Sequence, residues 1–432
     1  MDVLSLVLLL FGIFFTLLFL NVPIFVSLAV ASIAAVYAAG IPFTMIPILL
    51  YTTTSKFTLL AIPFFILAGH AMERAGISGR LIHLIDSLVG HVRGGLAVVT
   101  VISCCFFGAI SGSGPATVAA IGLISVPAMV KNGYDKTYSV ALVASAAEVA
   151  ILIPPSIALV VYGVISETSI GQLFMAGMIP GILMGASIMG VGYWKSRETG
   201  FGGTPRRRTP PNEIGKAFID AFWGLMAPVI ILGGIYGGVF TPTEAAAVAA
   251  GYGILVGIFI YRTIKLRDLF KLFTETAMST AIIMVIVINA SVFSWILTTG
   301  RVAQSLYQTM MGISTDYLFV LFVLNVLLLV AGCFMDAISA FYIFIPLFLP
   351  LCKTIGIDPV HLGVVMTGNL AIGMITPPVG VDLYTACAIS GVPFKDLARK
   401  IWPFVIASLI PLILITYIPA ISLWLPKLLG MR

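Results

Sequence analysis

The stretch Ser111-Gly-Ser-Gly-Pro115 interrupts an apolar segment, and the double proline of Ile153-Pro-Pro-Ser156 follows about 40 residues later. The same layout returns about 223 residues further on, where Gly332-Cys-Phe-Met-Asp336 is followed by Ile375-Thr-Pro-Pro-Val379. In a membrane, lipid-exposed interruptions of this kind are not tolerated, because each unpaired backbone group in hydrocarbon costs several kcal/mol. The sequence therefore predicts two helical hairpins and two broken helices that surround a common site.

The composition indicates an all-α polytopic membrane protein. The chain is 60% hydrophobic and 9% charged with a mean hydropathy of +1.13, whereas soluble domains carry about 25% charged residues. The five cysteines lie in apolar segments without ligand spacing, so we interpret them as buried small hydrophobes. The net charge of +6 is confined to loops and gives no indication of nucleic acid binding. The apolar start, Val3 to Leu20, lacks the features of a cleaved signal peptide and is predicted as a retained helix.

The basic residues predict an orientation. With the N-terminus outside, about 11 transmembrane helices and two re-entrant helical hairpins at 94–130 and 317–352, 18 of the 23 Lys and Arg residues are cytoplasmic. The reversed orientation would invert that ratio. In this arrangement the two halves enter the membrane from opposite sides, so the chain is predicted to consist of inverted repeats.

Each repeat is predicted to contain two parts, which we name the scaffold part and the core part. The scaffold part ends in an amphipathic arm helix of about 13 residues, which is too short to span the bilayer and should lie at the interface. The core part holds a hairpin and a broken helix, and Asp135 and Asp358 are expected to cap the two broken helices. The predicted first repeat is 1–205, with scaffold 1–91 and core 92–195; the second is 206–432, with scaffold 206–315 and core 316–432.

The broken helices have a chemical consequence at mid-membrane. Each break leaves backbone carbonyls without a hydrogen-bond partner, because the prolines of the pairs 154–155 and 377–378 have no N–H to donate. Ser or Thr hydroxyls add further oxygens. About five neutral oxygens suit a dehydrated monovalent cation such as Na+, whereas a divalent ion prefers carboxylates. The half-helix N-termini carry partial positive charge that suits a carboxylate. The residues thus predict a site for a cation and an organic anion.

Several polar residues allow more than one interpretation. A single Gly-x-Gly or Pro-Pro is most often a packing or kink device, but its duplication favours a functional core. Glu148 and Asp382 are intramembrane acids, for which a functional role and a purely structural hydrogen bond both stay open. Glu244 closes the capping box that begins at Thr241 and is predicted to be structural. The four histidines show no metal spacing.

Two segments closely resemble the signature regions of the large membrane subunit of TRAP (tripartite ATP-independent periplasmic) transporters: Phe107-Gly-Ala-Ile-Ser-Gly-Ser-Gly-Pro-Ala-Thr-Val-Ala-Ala-Ile-Gly122 and Gly373-Met-Ile-Thr-Pro-Pro-Val-Gly-Val-Asp-Leu-Tyr384. The resemblance spans essentially the whole chain. It implies a non-enzymatic, Na+-driven importer of small organic acids, such as C4-dicarboxylates or sialic acid, in the bacterial inner membrane. It also implies an elevator mechanism, a separate four-helix small membrane subunit and a periplasmic substrate-binding protein.

The resemblance further implies two or more Na+ ions and assigns residues to them. The first sodium site would use Ser111, Gly112, Ser113, Gly114, Ala150, Ile153 and Pro155. The second would use Gly332, Met335, Gly373, Thr376 and Val379. The substrate would lie between the two sites and contact Ser113, Thr117, Ser156, Asp336 and Asp382.

Three other classes of protein share some of these features. A channel is disfavoured because two closed hairpin tips that face each other make a poor pore. An intramembrane serine protease is disfavoured because no Gly precedes Ser111 or Ser113 by two residues and no His lies in mid-helix as a base. A stand-alone sodium/carboxylate symporter of a related two-hairpin fold, which needs no binding protein, is the alternative that stays open.

Overall fold

A computed structural model describes residues 2–198, 200, 208–313 and 316–430, and these residues form helices and connecting turns without a strand. The predicted boundary between the repeats, at 205 and 206, lies outside the described residues. The helices of the first half are α1 (Val3–Phe19), α2 (Ile24–Ala38), α3 (Met45–Thr54), α4 (Ala61–Arg74), α5 (Ile77–Val89), α6 (Gly95–Ser111), α7 (Gly114–Lys131), α8 (Lys136–Glu148), α9 (Ile157–Ser166) and α10 (Ile170–Glu198). Those of the second half are α11 (Pro211–Tyr236), α12 (Pro242–Leu255), α13 (Leu266–Thr299), α14 (Val302–Ile313), α15 (Tyr317–Gly332), α16 (Ala337–Thr354), α17 (Pro359–Met374), α18 (Val381–Ser390), α19 (Phe394–Lys400), α20 (Trp402–Tyr417) and α21 (Pro419–Leu428).

Fewer helices are long enough to span a bilayer than the 11 or so expected. Within the described ranges, seven helices have the length and hydropathy for a crossing, or eight if α19 and α20, bent by 48°, count as one span. The difference arises because several apolar helices stop short. The helix α1 has 17 residues and α15 has 16, which correspond to about 24–26 Å at 1.5 Å per residue. The polytopic, all-helical class is confirmed, while the number of crossings stays a prediction.

The internal repeat is visible in the helix boundaries. The second hairpin helix of each half, α7 and α16, has 18 residues, and the two begin 223 positions apart, at Gly114 and Ala337. The broken helices α8 and α17 also begin 223 positions apart, at Lys136 and Pro359. Their predicted caps are confirmed, because the Asp135 carboxylate accepts from the Tyr138 N–H at 2.8 Å and Asp358 accepts from the Val360 N–H at 2.7 Å.

The two halves are joined through reciprocal packing. The helix α7 packs against α18 of the other half, and α16 packs against α9. Each hairpin therefore contacts the broken helix of the opposite repeat as well as that of its own. Outside this core, α4 packs against α12 and α13, and α13 also packs against α2 and α16. Of these, α2, α4, α12 and α13 form the wall, whereas α16 belongs to the second hairpin.

The outer surface is apolar, and the charged residues cluster at helix ends. Large side chains such as Ile282 on α13 and Ile410 on α20 are more than half exposed, as expected for contact with membrane lipid. Arg74 forms an ion pair with Glu275 at 2.5 Å, and the Arg80 guanidinium lies 3.8 Å from the ring centroid of Tyr261. These contacts bring together segments that the charge distribution places on the cytoplasmic side.

Candidate functional site

The first hairpin tip is a short turn held by its own hydroxyl groups. The helix α6 ends at Ser111, and Gly112 adopts φ +62°, a left-handed conformation that favours glycine. The Thr117 hydroxyl donates to the Ser113 carbonyl at 2.8 Å and lies 2.9 Å from the Ser111 hydroxyl. Gly114 then begins α7. Hydrogen bonds within the tip itself therefore hold this turn.

The first break lies directly beside this tip. The helix α8 ends at Glu148 and a short 3-10 turn follows; the prolines are joined by a cis peptide bond, and Ser156 caps α9. The Ser156 hydroxyl donates to the Ile151 carbonyl at 2.5 Å and accepts from the Leu159 N–H at 3.3 Å. The Ile157 N–H donates to the Gly112 carbonyl at 3.4 Å. A backbone hydrogen bond thus connects the tip to the break.

This contact brings only some of the residues predicted for the first sodium site together. A Cβ added at Gly108 would lie 2.7 Å from Ala150 Cα, and one at Gly112 would lie 3.1 Å from the Pro155 carbonyl oxygen. Gly112 therefore adjoins Pro155, while Ala150 adjoins Gly108, which lies about one turn before Ser111 on α6. Ile153 instead packs against Gly181 of α10, so only its backbone could turn toward the tip.

The second tip and break repeat the arrangement. The Gly380 N–H donates to the Cys333 carbonyl at 3.1 Å, and a Cβ added at Gly373 would lie 2.5 Å from Gly332 Cα. The Thr376 hydroxyl donates to the Ile372 carbonyl at 2.7 Å, which leaves its lone pairs free.

The two remaining residues predicted for the second sodium site differ in exposure. Met335 is buried at the tip, and Val379 is half-buried after the second cis proline pair. Their backbone carbonyls are the groups that could serve as cation ligands, because neither side chain carries an oxygen.

Three helix N-termini at the tips and breaks have a polar side chain of the protein beside them. Asp336 caps α16 and accepts from the N–H groups of Ile338 and Ser339 at 3.0 and 3.3 Å. The start of α7 meets Asp382, whose Oδ2 would lie 2.6 Å from a Cβ on Gly114. Ser156 caps α9. The sequence predicts these termini to be open for a substrate carboxylate, whereas Asp336 caps one of them and the Asp382 side chain lies beside another.

The five predicted substrate residues do not share one surface. Ser113 and Asp336 are half-buried, while Thr117, Ser156 and Asp382 are buried, with at most 1% of each residue exposed. The hydroxyls of Thr117 and Ser156 already donate to carbonyls of their own segments. Of these five residues, Ser113 lines the cavity described next.

That cavity lies between the first tip and the wall helices and has a volume of about 140 Å3. The wall contributes His70 and Glu73 from α4 and Ser279 from α13, and the tip contributes Ser111 and Ser113. Sequence reasoning gave no role to His70 or Glu73. Their spacing of three residues, which places both on one face of a helix, was the signal available.

A larger cavity, of about 780 Å3, opens on another side of the molecule. It is lined by Lys56, by the turn after α9 that includes Glu167 and Ser169, and by Phe240 and Pro242 before α12. All three segments are assigned to the outside by the distribution of basic residues. Their meeting in one cavity agrees with that common assignment.

Two acids are buried beside the tips. Glu148 and Asp382 are both 0% exposed. The Ser408 hydroxyl of α20 donates to Glu148 Oε1 at 2.5 Å, while Glu148 Oε2 and both carboxylate oxygens of Asp382 have no hydrogen-bond partner in the described part of the chain.

Several known proteins are similar to this chain over most of its length. Residues 11–421 match the family model described as "Tripartite ATP-independent periplasmic transporter, DctM component". The chain is 45% identical over 384 residues to the C4-dicarboxylate TRAP transporter large permease protein DctM of Pseudomonas aeruginosa, with 88% of this chain and 89% of that protein covered. It is 44% identical over 416 residues to the isethionate TRAP transporter permease protein DctMQ of Oleidesulfovibrio alaskensis. That match covers 96% of this chain and 65% of that protein, so the chain spans about two thirds of this relative's length.

Among solved structures, the YdaH transporter of Alcanivorax borkumensis is similar, with a TM-score of 0.58 and 16% sequence identity. The match covers 85% of this chain and 86% of that chain. At this identity the similarity concerns the fold alone.

Proposed function

The chain belongs to the DctM-component family of tripartite ATP-independent periplasmic transporters, and on this basis we propose that it is the large permease subunit of a sodium-coupled importer of small organic acids. Family membership confirms a transport protein of the membrane rather than an enzyme. The proposed location is the bacterial inner membrane. The proposed partners are a small membrane subunit on a separate chain and a periplasmic substrate-binding protein.

The observation that carries the sodium proposal is the backbone contact between each hairpin tip and the break beside it. Gly112 meets Pro155 in one half, and Gly332 meets Gly373 in the other. Both contacts gather neutral carbonyl and hydroxyl oxygens without a carboxylate in the immediate turn of the break, a ligand set that suits Na+ better than a divalent ion. We therefore assign one Na+ to each tip.

The 140 Å3 cavity supports a compact substrate. Pockets for drug-sized ligands measure about 300–1,000 Å3, so this cavity accommodates a molecule of only a few carbon atoms. Its hydroxyls, Ser111, Ser113 and Ser279, offer hydrogen bonds, and His70 can donate to an anion. The relatives named for C4-dicarboxylates and isethionate act on acids of this size. We propose a substrate of that size in preference to a sugar acid such as sialic acid.

The position of this cavity supports an elevator mechanism. It lies where the first tip meets α4 and α13, at the boundary between the transport core and its wall. Because α7 packs on α18 and α16 on α9, the two hairpins and two broken helices can move as one body. Each positive charge that enters across 100 mV, negative inside, contributes about 2.3 kcal/mol, which drives accumulation without ATP.

Reconstitution tests the proposal. The chain would be placed in liposomes alone, with the small subunit, and with both the small subunit and the binding protein, and uptake of labelled C4-dicarboxylate or isethionate would be followed under an inward Na+ or K+ gradient. We expect uptake only with all three components and Na+. Uptake by the chain alone, unchanged by the partners, would instead support the stand-alone symporter. Uptake that K+ sustains equally would remove the sodium coupling.

A further inference from the structure

We propose that the 140 Å3 cavity selects short hydroxy acids with a single acid group, and that Glu73 and His70 on its wall side make this selection against dicarboxylates. The inference rests on the proposed function and narrows its substrate class. The relatives named for C4-dicarboxylates and for isethionate are 45% and 44% identical to this chain, so sequence identity does not choose between the two. Isethionate, a hydroxyethanesulfonate, carries a hydroxyl at one end and its acid group at the other.

The tip side of the cavity favours the acid group of a substrate. Ser113, the N-cap residue of α7, and Ala116, in the first turn of that helix, both line the cavity. The Ser113 side chain makes no capping hydrogen bond, and the first N–H groups of a helix have no partner within it. Their partial positive charge attracts anions. Asp382 meets the same helix end at Gly114, but it is fully buried and does not line the cavity.

The wall side presents a carboxylate. Glu73 of α4 lines the cavity and is exposed, and its carboxylate forms no hydrogen bond or ion pair within the described part of the chain. The neighbouring Arg74 is bound to Glu275 instead, and the lining contributed by the described residues includes neither Lys nor Arg. A second carboxylate of a substrate would therefore meet a like charge here, whereas a hydroxyl would meet an acceptor.

His70 adds a second acceptor on the same wall. The Thr276 hydroxyl donates its hydrogen to the Leu272 carbonyl at 2.8 Å, so it accepts at its 3.3 Å contact with His70 Nδ1, which carries the proton. In the neutral ring Nε2 is then an acceptor, and it has no hydrogen-bond partner among the described residues. Only the charged ring could donate to an anion from Nε2, and Glu73 supplies an acceptor in either case.

The size of the cavity makes the two sides act together. A volume of about 140 Å3 holds only a few carbon atoms, so one end of a bound acid contacts the tip while the other contacts the wall. Ile66, Phe107 and Ile283 also line the cavity, and their apolar side chains suit the methylene groups of such a molecule.

The permease would thus select its substrate in addition to any selection by a periplasmic binding protein. A site that forms hydrogen bonds to a substrate hydroxyl rejects an analogue without it more strongly than an apolar pocket rejects an added methylene. The analogue leaves the acceptors of the site without their partner. Selection at this cavity therefore depends on the hydroxyl more than on the length of the acid.

The test measures ligand binding to the purified complex of the chain with its small subunit, in Na+ and without a binding protein. The probes are isethionate, ethanesulfonate, which lacks the hydroxyl, and succinate, which has a second carboxylate instead. The readout is the ligand concentration that gives half-maximal thermal stabilisation. We expect isethionate to act at concentrations about 10- to 100-fold lower than either of the other two, the range that one hydrogen bond to a charged group provides.

Two variants separate the contributions of the wall residues. Glu73→Gln removes the charge and keeps an acceptor, so succinate should act at an about 10-fold lower concentration while isethionate changes by only a few-fold. His70→Leu should raise the concentration required of isethionate several-fold and leave ethanesulfonate unchanged, because ethanesulfonate has no hydrogen to donate. Glu244→Gln, in the exposed capping box of α12, is the matched control and should bind all three probes as the wild type does.

The outcomes distinguish the inference from the proposed function. Because Glu73 is exposed, Glu73→Gln keeps the inference testable if His70→Leu fails to fold. Succinate that stabilises the wild type at the same concentration as isethionate, or at a lower one, would overturn the inference and leave the proposed function intact. A Glu73→Gln protein with an unchanged ratio of the two concentrations would do the same. A wild type that none of the acids stabilises in Na+ would overturn the proposed function as well.

Discussion

Gly373→Ala tests the contact between the second tip and its break. The added Cβ would lie 2.5 Å from both Cα and C of Gly332, whereas ordinary van der Waals contact begins at 3.4 Å. Both partners are backbone, so no side chain can rotate away, and the two segments must separate by about 0.9 Å. Gly373 has no left-handed φ, so alanine is compatible with the local conformation and the effect isolates the contact itself.

The expected loss follows from the size of that separation. Overpacking of this kind costs about 1–3 kcal/mol, and metal sites require ligand distances within about 0.2 Å of their ideal values. If the overpacking weakens Na+ binding by this free energy, the Na+ concentration for half-maximal activation should rise about 5- to 150-fold. The assay is uptake by the reconstituted tripartite system against Na+ concentration, together with Na+-dependent thermal stabilisation of the purified permease.

Gly190→Ala in α10 is the matched control, because a Cβ there meets nothing within 4 Å. Alanine is favoured over glycine in a helix by about 1 kcal/mol, so the control should keep its Na+ dependence and melt at the same or a higher temperature. A Gly373→Ala protein that is folded and activated by Na+ within twofold of the wild type would refute the assignment of the second sodium site to this contact.

Three further predictions concern other polar residues. Thr376→Ala should raise the Na+ requirement of uptake more than Glu244→Ala does, because the Thr376 hydroxyl lies at the second break and Glu244 in a capping box; equal effects in Na+ titrations would contradict this. Thr241→Ala removes the helix cap of that box and should lower the melting midpoint by about 1–3 °C without altering Na+ activation. Asn325→Ala removes the acceptor of the 2.6 Å hydrogen bond from buried Asn369, so it should cost about 1–3 kcal/mol in unfolding experiments, and an unchanged stability would show that the network is dispensable.

The tips, the breaks and the helix caps could be predicted because local chemistry determines them. Glycine at 112 and the proline pairs restrict the backbone wherever they stand in the chain. Asp135 and Asp358 cap helices through contacts with N–H groups two or three residues away. Such features depend on sequence neighbours, so a single sequence carries them.

The residues that line the cavity could not be predicted, because the lining depends on contacts between distant segments. His70 and Ser279 reach the first tip only because α4 and α13 pack together. In the same way, nothing local to Asp382 indicates that it meets Gly114, 268 positions earlier. The short helix α3 carries too few residues for a hydropathy signal and was not predicted.

The reciprocal packing of α7 on α18 and α16 on α9 has a consequence for biosynthesis. When α7 has been synthesised up to Lys131, its partner α18, which begins at Val381, is still 250 residues away. At about 5–20 residues per second, translation leaves the first hairpin without that partner for about 13–50 s. Neither repeat can reach its final packing by itself, so the nascent first half must be held in the membrane until the second half arrives.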